Sequence, residues 1–453
     1  MLKAATQAAD HRERAVDRPV FPVDGDLDQA RARLGALADE PTPAEAALDQ
    51  LVAAMEPLIV VSTGPRYFGF VTGGALEAAS AADVLTTGWD QLAFNATSSP
   101  AAALVEEVAG GWLKELLGLP SAASFGFATG AQGASTVCLA AARHWALAQA
   151  GWDVERDGLA GAPPLRVVAN EERHATIDRS LRLLGLGAAA LEPVAADDQG
   201  AIDVEALAAA LDRGRPGPTI VCLQAGNVNS GAFDDIGAAS DAAHAHGAWV
   251  HVDGAFGLWA AANPGTCHLT TGIEAADSWA TDGHKWLNVP YDCGYVFCAR
   301  PDAHEAAMSY TAAYLTGQGA NGLRGPSDYV LESSRRARGF ATWAALRQLG
   351  RRGVADLVER CCALARRFAE QLAAVSGVRV VNEVVLNQVL VSFGDDERTD
   401  RVVDRVQRSG ECWMGATTWH GRRLMRISVS SGRTTEADVD RSVHAIVAAH
   451  RGL

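Results

Sequence analysis

Short apolar runs alternate with amphipathic stretches through the middle of the chain, and this alternation sets the expected fold. Between Ser121 and Arg300 the runs FGFA, LRVVA, PTIVCLQA, AWVHVD and CGYVFCA read as strands, separated by Ala-rich stretches of helical period. Buried strands alternating with helices predict βαβ units and a mostly parallel sheet. Upstream, SSPAAALVEEVAGGWLKELLGLP predicts a helix that Ser99 can cap, with Pro100 in its first turn and Gly118 and Pro120 at its end. Before it, residues 1–97 are polar at first, helical over Pro43 to Met55, then loop-rich at STGPRYFGFVTGG, with little core of their own. After the Gly-rich stretch AYLTGQGANGLRGPSDY, which reads as a mobile loop, helices are expected near 339–375, 398–409 and 435–450, and strands in VVLNQVLVSF and RLMRISVS. The expected division is an N-terminal segment (1–97), a large α/β domain (98–325) and a smaller C-terminal α+β domain (326–453).

Composition narrows the function classes. A chain of 453 residues is long enough for more than one core. Its formal charge of −15 argues against nucleic acid or an anionic membrane as partner, since both need a positive field. No stretch approaches the roughly 18 uninterrupted apolar residues of a membrane span. The start, MLKAATQAADHRERAVDRPV, lacks the apolar core and cleavage site of a secretory signal, so a cytoplasmic location is expected. The eight cysteines show no C-x-x-C pair and no Cys/His cluster at zinc spacing, which predicts reduced thiols, mostly in the core, and no metal site.

Lysine usage changes the picture further. Of 39 lysines and arginines only Lys3, Lys114 and Lys285 are lysines. Where only a positive charge is wanted, the chain uses arginine, which is no practical nucleophile. Lys285 sits in SWATDGHKWLNVPYDCG, between aromatic residues, where burial is expected to lower its pKa and favour the neutral amine that forms Schiff bases. In GAWVHVDGAFG a strand delivers Asp253 at its carboxyl end, where open α/β sheets bind ligands; Gly254 and Ala255 leave room for a flat ring. Such an acid and a Schiff-base lysine are what pyridoxal phosphate requires. In FGFATGAQGAST a strand runs into a Gly-rich turn and a helix, so the backbone N–H groups of Ala131 and Gln132 are expected to face a phosphate. Gly126, Gly130 and Gly133 also resemble the glycine turn of short-chain dehydrogenases, which keeps a nicotinamide-dependent oxidoreductase as a rival. That family pairs the turn with Tyr-x-x-x-Lys, and none of the three lysines follows a tyrosine at that spacing. His174, in NEERHATIDRS, falls after another strand, at a helix start.

Taken together, these stretches resemble the group II pyridoxal-phosphate-dependent amino acid decarboxylases, the family of aromatic-L-amino-acid and glutamate decarboxylases. The likeness runs from RYFGF through HVDGAFG and DGHKW to SRRARGFATWAALRQLG. It implies the pyridoxal-phosphate fold type I, a homodimer with active sites at the subunit interface and the N-terminal segment packed on the partner, and loss of the α-carboxylate as CO₂. By position it implies Lys285 as the Schiff-base lysine, Asp253 as partner of the pyridine nitrogen, Ala255 as the small residue against the ring and His174 as the histidine on its other face. It further implies Ala131, Gln132 and His284 at the phosphate, and Tyr314 as the loop tyrosine that reprotonates the substrate carbon; loss of that tyrosine can divert the reaction to an aldehyde. Two positions depart from the pattern. Asn227, in AGNVNSGAFDD, replaces a threonine near the cofactor, and Gln132 replaces a Ser or Thr whose hydroxyl would reach the phosphate. Arg426, in RLMRISVS, lies where related enzymes hold a substrate carboxylate, which leaves transamination or another pyridoxal-phosphate reaction open; a structural ion pair is an equal reading. The pocket wall is expected from RYFGF and GWDQLAFN, where Trp89 and Phe94 favour an aromatic or bulky substrate and Asp90 and Gln91 a polar one.

Overall fold

The five strands predicted between Ser121 and Arg300 are present, and with two further strands they form one seven-stranded sheet. The computed structural model describes residues 1–22, 25–214, 217–310 and 322–453. In the sheet, β1 (Ser124–Ala128), β2 (Arg166–Asn170), β3 (Leu191–Val194), β4 (Thr219–Gln224), β5 (Trp249–Asp253), β6 (Ser278–Asp282) and β7 (Gly294–Cys298) lie in the spatial order β1-β7-β6-β5-β4-β2-β3. The run from β6 to β3 is parallel, and β7 pairs antiparallel with both β6 and β1. Sequence reading missed β3 and β6. Leu191–Val194 contains a proline and lies at the sheet edge, and Ser278–Asp282 carries three polar residues among its five, so neither has the apolar run that marked the others. β6 is nonetheless buried throughout, because it runs between β5 and β7.

The helices that matter for the site follow these strands. Helix α1 (Pro100–Leu116) precedes β1, α2 (Ala131–Gln149) follows it, and α3 (Ala175–Leu183) follows β2. Ser99 is the N-cap residue of α1, but its side chain makes no capping hydrogen bond, contrary to expectation. Its hydroxyl is buried, so the cap position is filled without the bond that makes a serine favourable there. Inside the fold, α1 is tied by a buried bidentate ion pair, with Arg335 Nη1 and Nη2 at 2.6 and 2.8 Å from the Glu106 carboxylate. The expected helix near 339–375 spans Gly339–Ala373 and breaks at Gly350, where φ is 60°, a backbone conformation open to glycine. All the cysteines except Cys267 are buried.

Contacts divide the chain into two compact units, one of Met1–Gly74, Ala363–Val381 and Val389–Leu453, the other of Ala75–Cys362 and Asn382–Gln388. The seven-stranded sheet belongs to the second. The segment 1–97 thus contributes residues 1–74 to one unit and 75–97 to the other. A four-stranded sheet, which apart from Gln388 lies in the first unit, includes Gln388–Ser392, Gly415–Trp419 and Arg422–Ser428. The RYF of RYFGF is stitched to it through its backbone. Trp413 N–H donates to Arg66 O, Phe68 N–H to Trp413 O and Ser428 N–H to Phe68 O, and Tyr67 stacks on Trp413 at 5.1 Å. Among the described residues no helix is long and apolar enough to cross a membrane.

Candidate active site

The carboxyl ends of five strands bring the candidate residues together in the larger unit. Ala131 follows β1, His174 follows β2, Asn227 follows β4, Asp253 ends β5, and Asp282, His284 and Lys285 end or follow β6. A doubly wound sheet opens its ligand crevice at these ends.

Asp253 is 7% exposed, and its Oδ1 accepts from Ala255 N–H at 3.1 Å. Burial raises its pKa, and the charges of His174 and Lys285 act in the opposite sense. Electrostatics therefore tie these three candidates together. Backbone bonds lock the strand ends, with Gly254 N–H donating to Ala280 O and Asp282 N–H to Ala255 O, both at 2.9 Å.

Lys285 departs from expectation. Burial does pull its pKa down, but Asp282 more than offsets this through its charge and a hydrogen bond, and the amine is left raised. Lys285 Nζ lies 2.9 Å from Asp282 Oδ2. Sequence reading passed over Asp282 because it stands inside a strand that carried no apolar signal. Its spacing of three residues before a lysine chosen for chemistry was the available clue.

Asp282 also revises the phosphate turn. The Ala131 N–H, expected to face a phosphate, donates to Asp282 Oδ1 at 2.5 Å. The turn is tight: a Cβ on Gly130 would stand 3.0 Å from His284 Cε1 and 3.2 Å from Asp282 Oδ1. His284 is buried, which lowers its pKa. Its Nδ1 accepts from Cys293 N–H at 3.1 Å, so the ring's proton is assigned to Nε2, which lies 3.5 Å from Asp282 Oδ1. Tyr291 stacks on this ring at 4.0 Å between centroids.

Gln132 turns its side chain away from the turn. Its Nε2 donates to Ser180 Oγ at 2.9 Å, and Thr136 Oγ1 lies 2.9 Å from the same oxygen, which braces α2 against α3. His174 caps α3, with Nδ1 2.8 Å from Thr176 Oγ1. Asn227 is fully buried; its Oδ1 accepts from Asn229 N–H at 2.8 Å and Ser230 N–H at 3.3 Å, so the side chain builds its own turn. Beside it, Asp234, which sequence reading also passed over, accepts from Ile202 N–H and Gln224 N–H at 2.7 Å and from Asn170 Nδ2 at 3.2 Å. Burial pushes its carboxyl up to about 7. It fastens the ends of β2 and β4 to the loop after β3. Tyr314 lies outside the described residues. Arg426 belongs to the first unit, where burial pulls its guanidinium down.

These groups fit pyridoxal phosphate. A buried acid at one strand end, an amine after the next strand, a small residue beside the acid, and a glycine turn too close-packed for a Cβ match its ring nitrogen, aldehyde, flat ring and phosphate. One group, the Asp282 carboxylate, sits against that match.

Comparison with known proteins agrees. Residues 31–394 match the model of the pyridoxal-dependent decarboxylase conserved domain. The chain is 28% identical to tryptophan decarboxylase 1 of Oryza sativa subsp. japonica, covering 96% of this chain and 90% of that protein. It is 26% identical to 4-hydroxyphenylacetaldehyde synthase of Rhodiola rosea, over 83% of this chain and 79% of that one. Its fold matches a crystal structure of Oryza sativa TDC with PLP and tryptamine at a TM-score of 0.92 and 24% identity, covering 99% of this chain and 96% of that chain. The chain therefore belongs to the pyridoxal-dependent decarboxylase family, as an α/β enzyme of fold type I that uses pyridoxal 5′-phosphate to decarboxylate amino acids.

Proposed function

We propose that the substrate is an L-amino acid with an aromatic or bulky side chain, converted to its amine and CO₂ around Lys285 and Asp253. The observation that carries this reading is the pairing of a buried acid at the end of β5 with an amine just after β6. Bound pyridoxal phosphate supplies an electron sink for the pair left at Cα when the carboxylate departs. With pyridoxal phosphate bound, Lys285 would provide the amine for its aldehyde, and Asp253 would hold the proton on the ring nitrogen. Ala255 would leave room for the flat ring, and His174 would pack against it. Ala131, Gln132 and His284 form the phosphate end, with Asn227 shaping the neighbouring turn, and Tyr314 returns a proton to Cα.

The aromatic preference is supported by GWDQLAFN. Trp89 is 54% exposed and packs edge-on against Phe340, whereas Asp90 ends a helix at φ 50° and Gln91 Nε2 donates to Trp89 O at 3.2 Å. The Gln91 side chain is engaged in local structure, which weakens the polar reading. A relative named as an aldehyde synthase supports a second reading, aldehyde formation. One experiment separates them. Holoenzyme and Tyr314→Phe are incubated with each common amino acid, and amine, aldehyde and keto acid are separated. The wild type is expected to make amine from an aromatic amino acid; Tyr314→Phe, assayed in air, is expected to release CO₂ with amine formation down about 10²-fold and aldehyde in its place, with O₂ consumed as the oxidant and ammonia and hydrogen peroxide released. Keto acid as the main product would make Arg426 a substrate-carboxylate residue and the enzyme a transaminase. Amine from Tyr314→Phe at the wild-type rate would assign reprotonation to His174.

We also propose a cytoplasmic homodimer in which the segment 1–97 packs on the partner. The exposure of Leu27, Leu37 and Leu51, at 68%, 100% and 50%, supports this reading of the segment. Sedimentation of the full chain at micromolar concentration is expected to give a dimer; a monomer at that concentration counts against it.

A further inference from the structure

Beyond the carboxyl ends of β2, β3 and β4 lies one buried acid. Asp234, 3% exposed, sits in the segment that returns along β4, and its N–H donates to Gln224 O at 3.1 Å. Its carboxylate receives three donors. Ile202 N–H and Asn170 Nδ2 reach Oδ1 at 2.7 and 3.2 Å, and Gln224 N–H reaches Oδ2 at 2.7 Å. The cluster is therefore built around an acceptor, and a side chain that donated there would meet another donor.

Asn170 carries the link onward to the candidate site. Its Nδ2 also donates to Gly200 O at 2.9 Å, and its Oδ1 accepts from Glu172 N–H at 2.8 Å. Its backbone O accepts from Arg173 N–H at 3.1 Å. The side chain is fully buried, so its amide can face only one way: turned over, its oxygen would meet the Asp234 carboxylate and its NH₂ the Glu172 N–H. Asp234 thus fixes Asn170, Asn170 shapes the turn 170–173, and His174 comes next in the chain. The loop after β4 joins the same turn, since Asn227 Nδ2 donates to Glu172 O at 3.4 Å. The fit there is close, because a Cβ on Gly200 would stand 2.9 Å from Asn227 Nδ2. On the other side, Arg173 grips Asp178 of α3 through Nε and Nη2, at 3.0 and 2.7 Å.

We propose that Asp234 is a positioning residue for the decarboxylation: acting through Asn170, it sets the turn that presents His174 to the cofactor ring, and it touches neither cofactor nor substrate. The inference rests on the reading of His174 as the residue packed against that ring. Such a chain of bonds matters to rate, because a misplacement of about 1 Å can cost about 10²-fold.

The test is a double-mutant cycle on the cofactor-loaded full chain, with Asp234→Asn, His174→Asn and the two combined. Asp234→Asn keeps the size of the side chain but sets a donor against a donor. His174→Asn removes the ring and keeps a side chain able to cap α3. Asp277→Asn is the control. Asp277 is a buried acid at the amino end of β6, where it accepts from Val250 N–H and pairs with His244 and Arg300. Asp234→Asn is expected to slow single-turnover CO₂ release by about 10- to 100-fold while KM changes by no more than about threefold, and Asp277→Asn to release CO₂ at close to the wild-type rate. In the His174→Asn background, Asp234→Asn is expected to cost no more than about twofold further, because its effect passes through the missing ring. If Asp234→Asn does not fold, the cycle is run with Asn170→Ser, which breaks the same link from its other side. Losses that multiply in the double variant, or an equal loss in Asp277→Asn, overturn the proposal and leave Asp234 a role in stability alone. Wild-type release by His174→Asn sinks the reading of His174 itself, whereas an impaired His174→Asn beside an unimpaired Asp234→Asn sinks only this inference.

Discussion

Lys285→Ala is expected to abolish turnover, by roughly 10⁴-fold or more, and to remove the visible band of the cofactor–lysine linkage. In the wild type, borohydride is expected to bleach that band and fix the cofactor on the peptide that carries Lys285. The other two lysines make this a sharp test. Lys114 Nζ is engaged with Ser121 O and Ala123 O, and Lys3 Nζ with Glu45 and Asp49. Alanine also strands the Asp282 carboxylate, so loss of activity alone could reflect a disturbed turn. Lys285→Arg answers that, because it keeps a cation for Asp282 while removing the nucleophile. Both variants are expected to be inactive, with Lys285→Arg retaining wild-type thermal stability. A fixed adduct on Lys114, or turnover by Lys285→Arg, would place the chemistry elsewhere.

Asp253→Asn is expected to lower turnover by about 10²- to 10⁴-fold while the fold and most of the cofactor are retained. The asparagine oxygen can still accept from Ala255 N–H, so the end of β5 keeps its local bond. What disappears is the charge. A buried carboxylate favours a proton on a ring nitrogen beside it; a neutral amide in the same place does not, and electron withdrawal from Cα weakens. Circular dichroism and cofactor content establish that the variant is intact, and single-turnover CO₂ release reads the chemical step. Near-normal release from a folded, loaded variant would show that another group holds that proton.

The sequence made the sheet legible wherever a strand was an uninterrupted apolar run, as in AWVHVD and CGYVFCA. It left β6 unread because SWATD carries three polar residues among its five yet is buried throughout as an inner strand between β5 and β7. That omission hid Asp282, and with it the state of Lys285. Apolar neighbours in sequence predicted a depressed amine, whereas the carboxylate 2.9 Å away in space raises it. Gln132 is a similar case. Its position in the glycine turn was readable, but not the direction of its side chain, which Ser180, distant in sequence, determines. Asp253 was legible because one strand end and two small residues define its surroundings. The residues that needed partners from another strand were not.

The antiparallel seat of β7 has a consequence for how the enzyme comes into being. β1 pairs with β7, Ser124 opposite Cys298, and Gly294 packs so tightly that a Cβ there would stand 2.5 Å from Gly130. The strand leading into the phosphate turn therefore has no neighbour until a segment made much later in translation arrives. Such long-range pairing is slow, because the entropy of closing the loop is spent before any contact repays it. A nascent chain ending before β7 holds the glycine turn in sequence but not in shape, and capacity for the cofactor emerges only as the last strand of the sheet slides between β1 and β6.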